Sequence, residues 1–370
     1  MTSFVLNPRA RSSSPPAIFD DRDYATARAF FAARRDATPT PLRHLHELAA
    51  AIGVRDVLLK DETERFGLNA FKVLGVSFAI HQLLDQGRLG PDGVVVTATS
   101  GNHGRAVAAA ARRAGVQARI YVPTVTEDAR RAAIVEEGAT LVVVDGSYED
   151  AVREAARQAA TNGWTVVSDT SWTGYEEIPR WIMLGYAELL SEASQQWGDR
   201  PPDVVFVQVG VGGLACAVAA WLAHHFGAAR PFVIACEPSA TACAMESVRA
   251  GRPVVVGGAL RTVMAGLRCA EISPMVWPVL SGAVDAFVAI EDETTEAAMR
   301  RLATPLGTDP VVTAGASGAC GIASLLATMA EPELEALRRA SGLSPTSRAF
   351  AICTEGPTDP DHYQRVMRDP

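Results

Sequence analysis

Three groups of residues in this chain could do chemistry. Lys72 closes the run Arg65-Phe66-Gly67-Leu68-Asn69-Ala70-Phe71-Lys72 and directly follows an apolar ring. Two glycine-rich turns come after it, Ser100-Gly101-Asn102-His103-Gly104 and Gly210-Val211-Gly212-Gly213-Leu214. A lysine is an ammonium at neutral pH. Burial or a neighbouring cation lowers its pKa and frees the amine to attack a carbonyl carbon. Successive glycines reach positive φ and allow close backbone approach, so their N–H groups can converge on a phosphate at a helix start. The Ser100–Gly104 turn offers backbone donors, a hydroxyl and an amide, which suit a carboxylate. The same turn also reads as a plain β–α connection with His103 satisfying backbone groups at a helix start.

An amine, an amide-bearing anion turn and a phosphate-cradling turn, in that order, are what a pyridoxal-phosphate enzyme needs. Lysine serves there as a Schiff-base nucleophile, and the cofactor acts as electron sink. A competing reading starts from Gly210-x-Gly212-x-x-Ala215 with Glu237 ending the next strand, a loose dinucleotide fingerprint that would make the protein a dinucleotide-dependent oxidoreductase. His224-His225 and His44-x-His46 lack the spacing of a helical zinc site, so no metal is expected from them. The run Glu291-Asp292-Glu293 reads as a solvated helix start.

The elements that must position these groups alternate. Strands are expected at Val54–Lys60, Val94–Ala98, Ala118–Val122, Leu141–Val144, Thr165–Ser168, Val204–Val209 and Phe232–Cys236. Between them lie a helix that carries Lys72 and runs on through Leu84, and helices Arg105–Ala114, Thr126–Glu137, Tyr148–Ala160, Ile178–Ser194 and Leu214–His225. Near-continuous apolar strands separated by helices mean an α/β fold, with parallel-rich sheets covered by helices on both faces. A chain of 370 residues favours two domains over one. The series 73–169 reads as a smaller α/β domain inserted into a larger one made of 1–72 and 170–370.

Composition is that of a globular protein, 48% hydrophobic and 21% charged. A net charge of −8 argues against nucleic acid or an anionic membrane as partner. No stretch approaches the roughly 18 apolar residues of a spanning helix. The six cysteines are scattered without paired metal spacing and read as small buried hydrophobes, which suits a reducing cytoplasm.

Taken together, these residues resemble the tryptophan-synthase-β-like class of pyridoxal-phosphate enzymes and, within it, the diaminopropionate ammonia-lyase family. The likeness runs from Thr38 to Tyr363. It is carried by Lys60-Asp61-Glu62 leading into Arg65–Lys72, by Thr97–Gly104, Ser168–Tyr175 and Trp181–Tyr186, and by Gly210–Ala215, Gly266–Cys269 and Thr354–Pro360. The Ser-Gly-Asn-His-Gly turn fits the whole class, serine and threonine dehydratases included. The run ending at Lys72, the Thr173-Gly174-Tyr175 segment and Thr354-Glu355-Gly356 are narrower and favour the ammonia-lyase.

The resemblance implies a two-domain fold and a homodimer that splits 2,3-diaminopropionate into pyruvate and ammonia. It implies that Lys72 holds the cofactor's aldehyde carbon and that Asn102 meets its ring oxygen. Gly210, Val211, Gly212, Gly213 and Leu214 would bind its phosphate, and Thr354 would face its pyridine nitrogen. Asp169 would act on the substrate, which Ser100, Gly101, Asn102, His103 and Tyr175 would bind. Without the resemblance, Asp169 beside Thr170 and Ser171 reads equally as a turn or capping carboxylate. One residue departs from the family pattern: its members commonly carry aspartate where this chain has Ser100, and that aspartate is regarded as the base for the D-isomer. Preference for the L-isomer is therefore expected. The serine form leaves a serine or threonine dehydratase, or another β-eliminating lyase acting on a 3-substituted alanine, as the alternative.

Overall fold

Apolar runs become buried strands here because a strand shielded on both faces carries no polar alternation. The computed structural model describes residues 2–11, 17–34, 36–99 and 101–368. Its strands are β1 (Ser3–Leu6), β2 (Leu42–His44), β3 (Asp56–Asp61), β4 (Val94–Ala98), β5 (Gln117–Pro123), β6 (Thr140–Val144), β7 (Thr165–Val166), β8 (Val204–Gln208), β9 (Phe232–Pro238), β10 (Ala286–Ile290) and β11 (Arg348–Cys353). They form two sheets, one in each of two compact units.

The larger unit comprises Met1–Asn69 and Ala187–Pro370. Its sheet runs β1-β10-β9-β8-β11-β3-β2. The four inner pairings, from β10–β9 through β11–β3, are parallel. Each edge strand is antiparallel: β1 on β10 with Ser3 opposite Ala289, and β2 on β3 with Leu42 opposite Lys60. Every residue of β8, β10 and β11 is buried. The core gathers Phe206, Ile234, Val288 and Ala351 with the small-residue helix Ala316–Ala330. The helix Asp292–Ala303 starts at the acidic run, as expected, but Asp292 turns inward to accept from Thr262 Oγ1 at 2.5 Å and Val263 N at 3.0 Å.

Two cations and two carboxylates form a buried strut in this unit. The Arg65 guanidinium is fully buried and donates to Glu62 (Nε to Oε2 2.8 Å, Nη2 to Oε1 2.7 Å) and to Glu192 (Nη1 to Oε1 2.7 Å, Nη2 to Oε2 2.6 Å). Lys60 Nζ, also fully buried, donates to Glu192 Oε2 at 2.8 Å and to the Thr40 carbonyl at 2.6 Å. Burial lowers the Lys60 pKa, and the two carboxylates pull the other way. Burial works against charge on Glu62 too, but Arg65 outweighs it and keeps that carboxyl low. Lys60, Glu62 and Arg65, quoted for the family likeness, thus brace the larger unit, while Asp61 accepts from Arg43 and Thr63 beside them.

The smaller unit spans Ala70–Tyr186. Its sheet, β6-β5-β4-β7, is parallel throughout, over a core of Val96, Tyr121, Ala151, Ala155 and Ala159. Its bounds exceed the expected 73–169 because the helices Val73–Asp85 and Glu177–Gln196 meet glycine to glycine. A Cβ on Gly75 would stand 2.4 Å from the Ile182 carbonyl oxygen, and one on Gly185 would stand 2.7 Å from Gly75 Cα. That approach draws Lys72 and the first half of the later helix into the unit.

The strut generates a stability prediction. Glu62→Gln leaves the buried Arg65 charge half-compensated, at a cost of about 3–5 kcal/mol. Urea unfolding should show a lowered midpoint at unchanged slope; a midpoint equal to the parent's would mean the strut contributes nothing.

Candidate active site

Lys72 is the N-cap of helix Val73–Asp85, and its backbone is already helical (φ −57°, ψ −24°), so the direction of its side chain is set by the helix. Its Nζ donates to Asp169 Oδ2 at 2.6 Å and lies 5.8 Å from the centre of the Phe71 ring. Phe71 packs against Tyr186, with ring centres 4.7 Å apart. The ion pair is half-buried, with side-chain exposures of 19% for Lys72 and 20% for Asp169. Burial alone would raise the Asp169 carboxyl, yet the neighbouring His103 ring and the Lys72 ammonium that donates to it hold it well below the usual carboxylate range.

Asp169 follows β7, and two side chains fix the chain just before it. Tyr175 Oη accepts from Ser168 N at 2.8 Å and donates to the Val166 carbonyl at 3.0 Å, while its ring stacks on Trp172 at 4.0 Å. His103 Nε2 meets the Val167 carbonyl at 2.9 Å, and Val167 N donates to the Val96 carbonyl at 2.8 Å. The Tyr175 phenol, expected to bind substrate, is thus engaged with its own backbone, and burial pushes its pKa upward. His103, expected beside it, is buried within the helix Asn102–Ala114, and its ring caps no helix end. Its Nδ1 lies 3.6 Å from Asp169 Oδ2 and has no hydrogen-bond partner among the described residues.

The turn around 101–104 is organised by a residue the sequence reading passed over. Thr99 Oγ1 accepts from Gly101 N at 3.0 Å and Gly104 N at 3.3 Å. Those two N–H groups point to Thr99. Asn102 begins the following helix. A Cβ on Gly104 would stand 2.2 Å from Thr99 Cγ2, so only glycine fits there. A Cβ on Gly101 would stand 3.0 Å from an Arg130 guanidinium nitrogen, which places a cation beside the turn that sequence spacing could not reveal. Ser100 lies outside the described residues.

In the larger unit, β8 leads through Val209 into the second glycine turn and the helix Gly213–Phe226. Gly212 is the N-cap at φ +94°, and as a glycine it brings no side chain of its own to the helix start. A Cβ on Gly212 would stand 2.8 Å from Val276 Cγ2, and one on Gly210 would stand 3.0 Å from the Gly266 carbonyl oxygen. Thr354 follows β11, buried, with its hydroxyl 3.4 Å from the Ser317 carbonyl. Glu355 and Gly356 dock on the helix starting at Ala316, where Gly315 N donates to the Glu355 carbonyl at 2.9 Å. Glu237 is fully buried, and both its oxygens cap the helix Cys243–Ala250, accepting from Ala244 N and Met245 N at 2.8 Å each. A carboxylate spent this way cannot hold a ribose hydroxyl, and the dinucleotide reading loses its acidic residue.

Comparison with known proteins agrees with that geometry. A family model described as pyridoxal-phosphate dependent enzyme matches residues 33–338. A diaminopropionate ammonia-lyase of Escherichia coli (strain K12) is 38% identical over 367 residues, covering 95% of this chain and 92% of the relative. Its counterpart in Salmonella typhimurium is 37% identical over 353 residues, covering 89% and 87%. The crystal structure of the E. coli holoenzyme superposes with a TM-score of 0.92 at 36% identity, covering 99% of this chain and 96% of that one. The chain therefore belongs to the pyridoxal-phosphate dependent enzymes and, among them, to the diaminopropionate ammonia-lyase family.

Proposed function

We propose that this protein converts 2,3-diaminopropionate and water into pyruvate and two molecules of ammonia. The observation that carries the reading is the half-buried pair of Lys72 Nζ and Asp169 Oδ2, 2.6 Å apart. The residues present fit pyridoxal phosphate. In the smaller unit an amine stands beside a carboxylate, and in the larger unit a helix start behind a positive-φ glycine suits a dianionic phosphate. On the family likeness, Asn102 of the smaller unit would offer an amide to the ring oxygen, and Thr354 of the larger unit would offer a hydroxyl to the ring nitrogen. When bound, the cofactor supplies an aldehyde for amines and an electron sink that acidifies the substrate's α-carbon. A neutral hydroxyl at Thr354 limits that sink, which favours prompt loss of a β-group over transamination or racemisation.

On this reading Lys72 Nζ, once free and uncharged, takes the α-proton from one face. Asp169 Oδ2 holds the substrate's β-ammonium in place of the lysine ammonium, so the β-nitrogen stays protonated and departs as neutral ammonia. A hydroxyl leaving group carries no such charge and needs no such anion, which sets this reading apart from a serine or threonine dehydratase. The Ser100 position favours that dehydratase as the second reading. Pyruvate release from diaminopropionate, serine and threonine, compared side by side, decides between them. We further propose a homodimer in the cytoplasm; the six unpaired cysteines support the compartment, and sedimentation velocity tests the dimer.

Three outcomes are expected. Lys72→Ala loses the visible absorption of the bound cofactor, and persistence of that band would assign it to another lysine. Asp169→Asn lowers turnover of L-diaminopropionate by about 10²–10⁴-fold, the usual worth of one positioned acid–base group; parental turnover would remove Asp169 from the chemistry. The L-isomer is consumed faster than the D-isomer in a pyruvate assay, because a serine hydroxyl is a far weaker base than the family aspartate at position 100. Comparable rates would contradict that.

A further inference from the structure

Asp169 Oδ2 faces two nitrogens. Lys72 Nζ donates to it at 2.6 Å, and His103 Nδ1 stands 3.6 Å away without a hydrogen bond. The histidine tautomer explains the second distance. A carbonyl oxygen only accepts, so the 2.9 Å contact to Val167 places the ring proton on Nε2 and leaves a lone pair on Nδ1. Two lone pairs then confront each other, and no hydrogen bond closes the gap. The ring cannot turn away, since Val167 is itself held by Val96 and His103 is only 7% exposed. The arrangement is stable while Lys72 carries the charge that balances Asp169.

We propose that His103 is the alternate countercharge of Asp169, taking a proton at Nδ1 when Lys72 Nζ gives up its own. The inference rests on the reading that Lys72 is the amine whose charge is lost during turnover. The step is balanced within the three groups. An N–H bond breaks at Lys72 Nζ, Asp169 Oδ2 passes the proton on, and an N–H bond forms at His103 Nδ1. Before it the charges are lysine positive, aspartate negative and histidine neutral; after it they are lysine neutral, aspartate negative and histidine positive. The buried site keeps its net charge, and the lysine amine becomes available without a proton entering or leaving the site.

The groups that face this pair agree. Tyr186 comes from the helix Glu177–Gln196 and Tyr175 from the turn after Asp169; burial pushes both phenols upward, so both stay neutral. Among the described residues, the basic side chains paired with Asp169 are Lys72 and His103. Burial holds His103 below its ordinary value, the Asp169 charge acts upward, and the Lys72 charge acts downward. Removing the lysine charge removes a downward influence, so the ring should bind its proton more tightly.

Nitrogen-15 NMR of the imidazole in cofactor-free protein tests this directly, with the His103 signal assigned by its loss in His103→Gln. In the parent at neutral pH, the proton should sit on Nε2 and the ring should be neutral. In cofactor-free Lys72→Met, the titration midpoint should rise by about one pH unit, a tenfold tighter proton. A midpoint that stays put or falls, or a parent ring protonated at Nδ1, overturns the proposal. A second measurement uses His103→Gln, whose amide still donates to Val167 but takes no proton. Its reaction with added pyridoxal phosphate should slow about tenfold near neutrality and recover at alkaline pH; equal slowing at every pH would mean a purely structural role and would also overturn it. A failed Lys72 assignment shows separately, as cofactor absorption retained in Lys72→Ala, while the ring titration is read without cofactor.

Discussion

A single ionised carboxylate, only partly open to water, sets the demands on the smaller unit. Asp169 carries charge where solvent is scarce, so compensation has to come from within the fold. Lys72 meets that need, and the lysine's position is inherited from the first turn of a helix rather than from a loop. The carboxylate in turn is fixed by the backbone before it. Tyr175 bridges the Val166 carbonyl and Ser168 N–H, and His103 grips the Val167 carbonyl between them. These three consecutive residues are thereby held from two sides, which adds to the direct Lys72–Asp169 hydrogen bond in keeping that distance short.

The glycines belong to the same economy of space. Gly75 and Gly185 allow two helices to touch backbone to backbone, which carries Lys72 into the unit that holds Asp169. Gly104 makes room for the Thr99 methyl while its N–H binds the Thr99 hydroxyl. In the larger unit Gly315 and Gly318 leave room for the segment after Thr354, since a Cβ on either would stand 2.2 Å from a backbone oxygen of Gly356 or Glu355. Glycine thus marks the closest backbone approaches, and substituting it there moves elements and not only side chains.

Legibility in the sequence follows the range of the interaction that decides each feature. The strand Val94–Ala98 and the strand–helix unit around Gly210–Gly213 could be read because apolar runs and glycine turns are local signals. Strand order could not: β11 inserts between β8 and β3 although it comes last in the chain, and nothing in its six apolar-rich residues states that register. Lys72 and Asp169 stood out individually, but their pairing spans the intervening β4–β7 sheet and needed coordinates. Thr99 was visible only as part of a quoted run, since a hydroxyl that organises a turn looks like any strand-end threonine. Tyr175 and His103 carry backbone bonds that residue type alone does not show. Residue type suggested contact with a ligand, and burial instead directs most of their polar atoms to the backbone.

The atom left over by that backbone allegiance is the informative one. His103 spends Nε2 on Val167 and keeps Nδ1 for nothing in the described structure. A buried acceptor without a donor is disfavoured. Glutamine or asparagine could donate to the same carbonyl but takes no proton near neutral pH. An imidazole adds the capacity to become a cation near neutral pH without moving a heavy atom. Beside a carboxylate whose lysine partner, on the reading advanced here, must surrender its charge in every cycle, that capacity has a use. Structure and chemistry then require the same residue for different atoms: Nε2 to hold the strand, Nδ1 to hold the proton.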